Sequence, residues 1–425
     1  MKTSHRFWVF LLLALGSFAI PAIGAPGHSA EAERAALDTN LAEEILKASG
    51  ITEEARRHAY EATLQSWLQQ MQAALGARGS EYRKAKRLHL ELHARILRRY
   101  DPTADGLDAV LERGEYNCLS ASLLVGLMAR AFGWEAQVVE IPSHVYVRLF
   151  IEQRRIEVES TSRDGFDLHP RLEARSDSGS EPGYLSNAGP VLTVPEVAAP
   201  DGVELEQAVG FLWHNRGRRA LDRGEALVAA RAFLEESRLE PPGSSRSESL
   251  GMYLARAFRL TYEAGGFEDA YRIAEIGVRI FPGETTARDR LLAAALKQVE
   301  VECDLGRLEQ AEGRLEQAAA AVGNPADVGR LERGACPLIA AAAVRGQDWI
   351  RAARMARRFA IAETDPVEGD HLMRWVIRRA KEARDARNAC TDPLLRWAGD
   401  GEALLEAPLR SGVEPGSSAV AATAD

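Results

Sequence analysis

Residues 113–165 read RGEYNCLSASLLVGLMARAFGWEAQVVEIPSHVYVRLFIEQRRIEVESTSRDG, and this stretch decides the expected fold class. Leu119, Leu123, Leu127 and Ala131 recur at helical spacing, so residues 119–132 predict a helix that Gly133 ends. Two β-rich runs follow, Glu135–Ile141 and His144–Ile151. A third, residues 155–159, comes after the polar turn Glu152-Gln153-Arg154. Residues 100–165 therefore predict a helix followed by a small antiparallel sheet.

The same stretch supplies chemistry. Cys118 opens the helix directly after the polar loop Gly114-Glu115-Tyr116-Asn117. Free N–H groups and the helix dipole at that position favour a thiolate, and those N–H groups suit an oxyanion. His144 opens the second strand, behind Pro142-Ser143. If the following hairpin turns at Glu152-Gln153, Ile151 pairs with Arg154. His144 then faces Thr161, and Glu159 is its diagonal neighbour on the same face. Cys118, His144 and Glu159 are thus a candidate nucleophile, base and orienting acid. Glu157 shares the face and is the rival acid; register decides between the two. Tyr116 and Asn117 are nearby candidates for an oxyanion-binding side chain.

Working outward, the N-terminus carries Lys2 and Arg6, an apolar run over residues 7–20, Pro21, and the small residues Ala22, Gly24 and Ala25. That is the layout of a signal peptide over residues 1–25, cleaved after Gly24 or Ala25. The mature protein is expected to be exported, periplasmic or extracellular, with no stable membrane span. At 425 residues the chain has room for two or three domains. Its net charge of −9, with no basic stripe interleaved with aromatics, argues against a general nucleic-acid binder. In an oxidising compartment two of Cys303, Cys336 and Cys390 are able to pair, and the sequence does not choose which.

The expected organisation is a domain over 31–166 with helical additions at its start. Residues 167–205 form a linker or long loop, residues 206–400 helical repeats, and residues 408–425 a disordered tail. In the N-terminal additions, residues 55–75 and 81–100 read as amphipathic helices. His89 and His93 lie at i and i+4 there. With Glu91 between them the pattern is not a zinc-protease motif, and it reads as a partly exposed helix face. In the C-terminal half Gly224, Ala229 and Pro241 recur as Gly265, Ala270 and Pro282. A third copy has Gly306, Ala311 and Pro325, and a weaker fourth has Gly346, Ala352 and Pro366. The period is about 41 residues, with Ala letting paired helices approach and Pro ending the second helix of each pair. No phosphate-binding glycine loop stands out, and neither metal nor cofactor is expected.

Asn117-Cys118-Leu119-Ser120, His144 with Val145 and Val147, and Glu159-Ser160-Thr161 together resemble the Cys, His and acid motifs of the transglutaminase-like superfamily, a branch of the papain-like cysteine enzymes. Glu159 stands where Asp is more usual, and Val145-Tyr146 where an aromatic commonly follows the His. The repeats GEALVAARAFLEESRLEP and GGFEDAYRIAEIGVRIFP resemble tetratricopeptide repeats. The resemblance implies an α+β transglutaminase-like domain followed by an all-α tetratricopeptide-like solenoid. It also implies a cysteine-dependent amide hydrolase or acyltransferase that works through a thioester on a peptide or protein substrate. A protein or peptide partner would lie on the repeats. The alternative is a non-catalytic interaction scaffold with a degenerate Cys domain.

Overall fold

The long apolar run from Cys118 onward forms a helix, α5 (Cys118–Ala131), that is buried along nearly its whole length. Around it lie α1 (Thr39–Ala48), α2 (Glu54–Leu75), α3 (Glu81–Arg95) and α4 (Leu107–Arg113). The computed structural model describes residues 36–167, 201–240 and 245–387. The expected signal peptide, the tail, most of the expected linker, Pro241 and Cys390 lie outside the described residues.

Two short strands, β1 (Arg99–Tyr100) and β2 (Glu115–Tyr116), pair in parallel. They explain why α3 stops at Arg95 rather than continuing to residue 100. The N–H groups of Arg98 and Arg99 both donate to the Gly114 carbonyl (2.9 and 3.1 Å), so the backbone there is held by this pairing instead of a helical turn. The main sheet holds β3 (Glu135–Ile141), β4 (His144–Ile151), β5 (Arg154–Val158) and β6 (Gly202–Glu204), in the order β5-β4-β3-β6, antiparallel throughout. Two-residue turns fix the register: Ile141 pairs with His144, and Ile151 with Arg154. Glu152 and Gln153 both take left-handed backbone (φ 51° and 63°), which matches the twist of a tight hairpin.

The α+β papain-like class expected for this half does not describe the molecule. The described residues are 71% helical, in fourteen helices, and no papain-like α+β core is evident. The reason lies in the packing. The sheet is narrow, its edge strand β6 is only three residues long, and the apolar interior around it comes chiefly from helices. Helix residues such as Leu46, Leu64, Leu92, Leu123 and Leu205 fill the positions that a broad sheet would supply in a sheet-dominated core.

The remaining helices form an array. They are α6 (Leu205–Asp222), α7 (Ala226–Leu239), α8 (Ser245–Glu263), α9 (Phe267–Ile280), α10 (Thr285–Asp304), α11 (Leu308–Val322), α12 (Pro325–Arg345), α13 (Trp349–Ala362) and α14 (Pro366–Arg387). Each packs on neighbours one or two along the chain. The recurring Gly224, Gly265 and Gly306 sit in the turns that end α6, α8 and α10, with φ between 72° and 79°, where a side chain would be strained. In the fourth copy the left-handed residue is Gln347 (φ 60°), one place later. Ala229, Ala270, Ala311 and Ala352 are fully buried at the helix contacts. The long period comes from the first helix of each pair: α6, α8, α10 and α12 run 18 to 21 residues. Pro325 and Pro366 differ from expectation. Each begins a helix, where its missing N–H costs nothing, rather than ending one.

Helix α6 belongs to two cores. Leu205, Ala208, Val209, Phe211 and Leu212 join the N-terminal core, while Ala220 and Leu221 join the first core of the array. Midway, a Cβ at Gly217 would sit 2.4 Å from the Phe233 ring. Gly217→Ala is therefore expected to lower the melting temperature, by about 1–3 kcal/mol of overpacking that outweighs any helix-propensity gain. Gly313→Ala in α11, where nothing lies within 4 Å of the new methyl, is expected to be stabilising by about 0.5–1 kcal/mol. Circular-dichroism melts of the two variants check the opposite signs.

Candidate active site

Cys118 is the first residue of α5, and the cap behind it is fully used. Asn117 Oδ1 accepts from the N–H groups of Leu119 (2.9 Å) and Ser120 (3.1 Å), and the Asn117 N–H donates to Ser120 Oγ (3.0 Å). Ser120 Oγ in turn donates to the Ala104 carbonyl (2.7 Å). The Asn117 carbonyl accepts from Ala121 (3.1 Å). These contacts use the first N–H groups of the helix at Leu119, Ser120 and Ala121, leaving that of Cys118 itself. The oxyanion-binding side chains considered from the sequence are otherwise engaged. Asn117 Nδ2 donates to the Pro102 carbonyl (3.3 Å), and the Tyr116 hydroxyl donates to the Thr161 carbonyl (3.3 Å).

His144 follows a two-residue turn in which Ser143 has φ 66°. It donates from Nε2 to Glu159 Oε2 (2.7 Å), which leaves Nδ1 free of that bond, and Cys118 lines the same cleft. Burial works against the charged ring. The hydrogen bonds to Cys118 and Glu159, with their charges, outweigh it and push the imidazole up to about 9. Glu159 is largely buried, which favours its neutral acid. The His144 hydrogen bond and charge and the two Thr161 hydrogen bonds override this and hold the carboxyl below its ordinary value. The structure thus brings Cys118, His144 and Glu159 together. Glu157, the rival, is claimed by other partners: it accepts from Arg148 Nε (2.9 Å) and pairs with Arg155 (3.1 Å). Arg148 stands opposite Glu157 in the register that the hairpin turn implies, so that signal was present in the sequence.

The turn that carries Glu159 is held from three sides. Glu159 Oε1 accepts from the Thr161 N–H (3.0 Å). Ser160 Oγ meets Ser122 Oγ of α5 (3.2 Å), tying the acid turn to the helix that carries Cys118. His89 Nε2 donates to the Ser162 carbonyl (2.8 Å). This corrects the reading of His89 as a helix-surface residue: it is 1% exposed, stacked edge-on with His93 at 4.8 Å, because the acid turn packs over that face of α3. Among the described residues no group of His, Cys, Asp and Glu is arranged to hold a metal. Cys303 and Cys336 are both free and buried, and burial pushes their thiols up to about 11 and about 12. They do not pair with each other.

Cys118 and His144 open into a cleft of about 390 Å³. Its far wall comes from Phe211, His214, Asn215 and Arg218 of α6 and from Ser249 of α8. None of these was singled out from the sequence, since they fall in the repeat half. A larger groove of about 1040 Å³ is lined by residues of α7, α8, α9 and α10 but contains neither cysteine nor histidine. No protein-family model, curated protein or solved structure matches the chain.

The opposite shifts of two histidines predict a pH optimum for stability. His144, raised from 6.5 to about 9, contributes stability that is complete below about pH 6.5 and is lost as pH rises through about 9. His93 is lowered to about 4, by burial first and by His89 second. Here the unfolded chain takes up the proton first, so stability falls as pH drops from about 6.5 toward 4. Each swing is about 3 kcal/mol at most. The melting temperature is expected to peak near about pH 6.5, and His144→Ala to flatten the alkaline limb alone. An unchanged alkaline limb in that variant would contradict the assignment.

Proposed function

We propose that this chain is a cysteine-dependent amide hydrolase or acyltransferase with Cys118 as nucleophile, His144 as general acid–base and Glu159 as the orienting carboxylate. One observation carries the reading: a single imidazole lies 2.7 Å from a largely buried carboxylate and opens into the same cleft as a thiol at a helix start. The likeness of the three motifs to those of the transglutaminase-like superfamily supports the same chemistry, independently of fold class.

In the proposed reaction the Cys118 thiolate adds to the carbonyl carbon of the amide, forming the C–S bond. The carbonyl oxygen takes the negative charge beside the Cys118 N–H and the start of α5. The C–N bond then breaks as His144 gives its proton to the departing amine, leaving a thioester. Water, or a second amine, attacks the thioester while His144 takes up its proton. The C–S bond breaks, and the products are a carboxylic acid or a new amide with the thiolate restored. Glu159 stays ionised and keeps the ring turned toward the thiol. Export is part of the proposal and rests on residues 1–25.

Alkylation of Cys118 by iodoacetamide, read by mass spectrometry across pH, tests this. Cys303, Cys336 and Cys390 are told apart from Cys118 by the peptides that carry them. Cys118 of the wild type is expected to label readily at about pH 7, because the His144 ring beside it serves as the base that activates a thiol nucleophile. His144→Ala is expected to label at least about tenfold more slowly at the same pH. Equal rates in the two proteins would sink the enzyme reading and favour a binding scaffold.

A further inference from the structure

The cleft wall facing Cys118 has an unusual charge. The arginines of α6 and its C-cap mostly have partners in the protein. Arg216 Nη1 donates to the Lys47 carbonyl (3.1 Å) and stacks on Trp213, Arg219 pairs with Asp105, and Arg223 pairs with Glu225 (2.8 Å). Arg218 lines the cleft, is exposed, and has no hydrogen-bond or ion-pair partner among the described residues. In a chain of net charge −9, acids to pair with it are not scarce. The planar guanidinium is suited to a carboxylate held by two parallel hydrogen bonds.

Its neighbours are fixed in place. His214 donates from Nδ1 to Glu236, 3.0 and 3.1 Å from the two carboxylate oxygens, and the Glu236 side chain is completely buried. The His214 ring also packs edge-on against Tyr253 (5.5 Å), so Nε2 is the nitrogen left for the cleft. Asn215 adds an amide beside it. The strand wall opposite is made by Ile141, Ser143 and Val145 beside His144.

We infer that Arg218, flanked by His214 and Asn215, is a carboxylate-reading subsite, and that the substrate is an acidic peptide with a free carboxylate close to the amide that Cys118 attacks. The inference rests on the acyl-transfer reading above and names its substrate class. Arg218 selects the substrate by charge and takes no part in bond making.

Two alkylating reagents separate the possibilities. Iodoacetate and iodoacetamide present the same reactive carbon and differ only in a carboxylate against an amide. The ratio of their second-order rates at Cys118, at low ionic strength, reports the anion preference of the cleft. His144 contributes to this ratio in every variant, so changes at Arg218 isolate Arg218. Arg218→Gln is expected to lower the iodoacetate-to-iodoacetamide ratio about threefold or more, and Arg218→Lys to retain most of it. Added salt is expected to lower the ratio more in the wild type than in Arg218→Gln. Labelling by both reagents with a ratio that Arg218→Gln does not move would overturn this inference alone. Failure of Cys118 to react with either reagent would overturn the triad and this inference with it.

Discussion

A carboxylate largely buried between a sheet and a helix has to be compensated, and Glu159 shows what that requires here. Left alone, its burial would favour the neutral acid. The His144 ring and the Thr161 backbone and hydroxyl reverse that preference, and the ring is raised in turn. Such a pair is stable only if both members stay in register, because a carboxylate that loses its partner in a dry site costs several kcal/mol. The surrounding structure can be understood as the means of keeping that register. The 159–165 turn is bonded to α5 through Ser160 and Ser122, and to α3 through His89. Cys118 sits on α5 itself, so its distance from the acid turn is set by the same contacts.

The second constraint is the shared helix. Leu205 packs into the N-terminal core so closely that a Cβ on Gly126 of α5 would lie 2.5 Å from its side chain. Further along the same helix, Ala220 and Leu221 are buried in the next core. A helix rises about 1.5 Å per residue, so α6 is a rigid strut between the two cores. The middle of the strut faces Cys118 and His144 across the cleft. The array of helices therefore contributes a wall to the candidate site as well as a surface of its own. A change that loosens α6 would alter the shape of the cleft without touching Cys118.

Much of the site was legible because its devices are local. An Asn before a buried helix marks a cap, Pro142-Ser143 marks a two-residue turn, and the polar Glu152-Gln153 pair sets the register of the next hairpin. From these the face shared by His144 and Glu159 follows by counting. The choice against Glu157 needed one more step: that Arg148, opposite it, is itself buried and claims it. The burial of His89 was not legible, since α3 shows only helical spacing. The acid turn that covers it lies some seventy residues away. Nor was the far wall of the cleft, which depends on how α6 docks. Repeat spacing was legible for the first three turn glycines and off by one place at Gln347, and the role of Pro was reversed at Pro325 and Pro366, where a fixed φ is equally at home at a helix start.

The fold class failed for a different reason. It was inferred from motifs, and these motifs constrain only their immediate surroundings. A capped helix start, a tight turn before a histidine and one hairpin register are enough to assemble a thiol, an imidazole and a carboxylate. None of them needs a broad sheet. Three longer strands with a short fourth suffice, provided helices supply the rest of the apolar interior, as α1 to α6 do. The chemistry of a site and the class of the fold around it are separable in this sense. What the site does require is a dry, rigid support within a few ångströms of Glu159, and helix packing provides that as well as a sheet would.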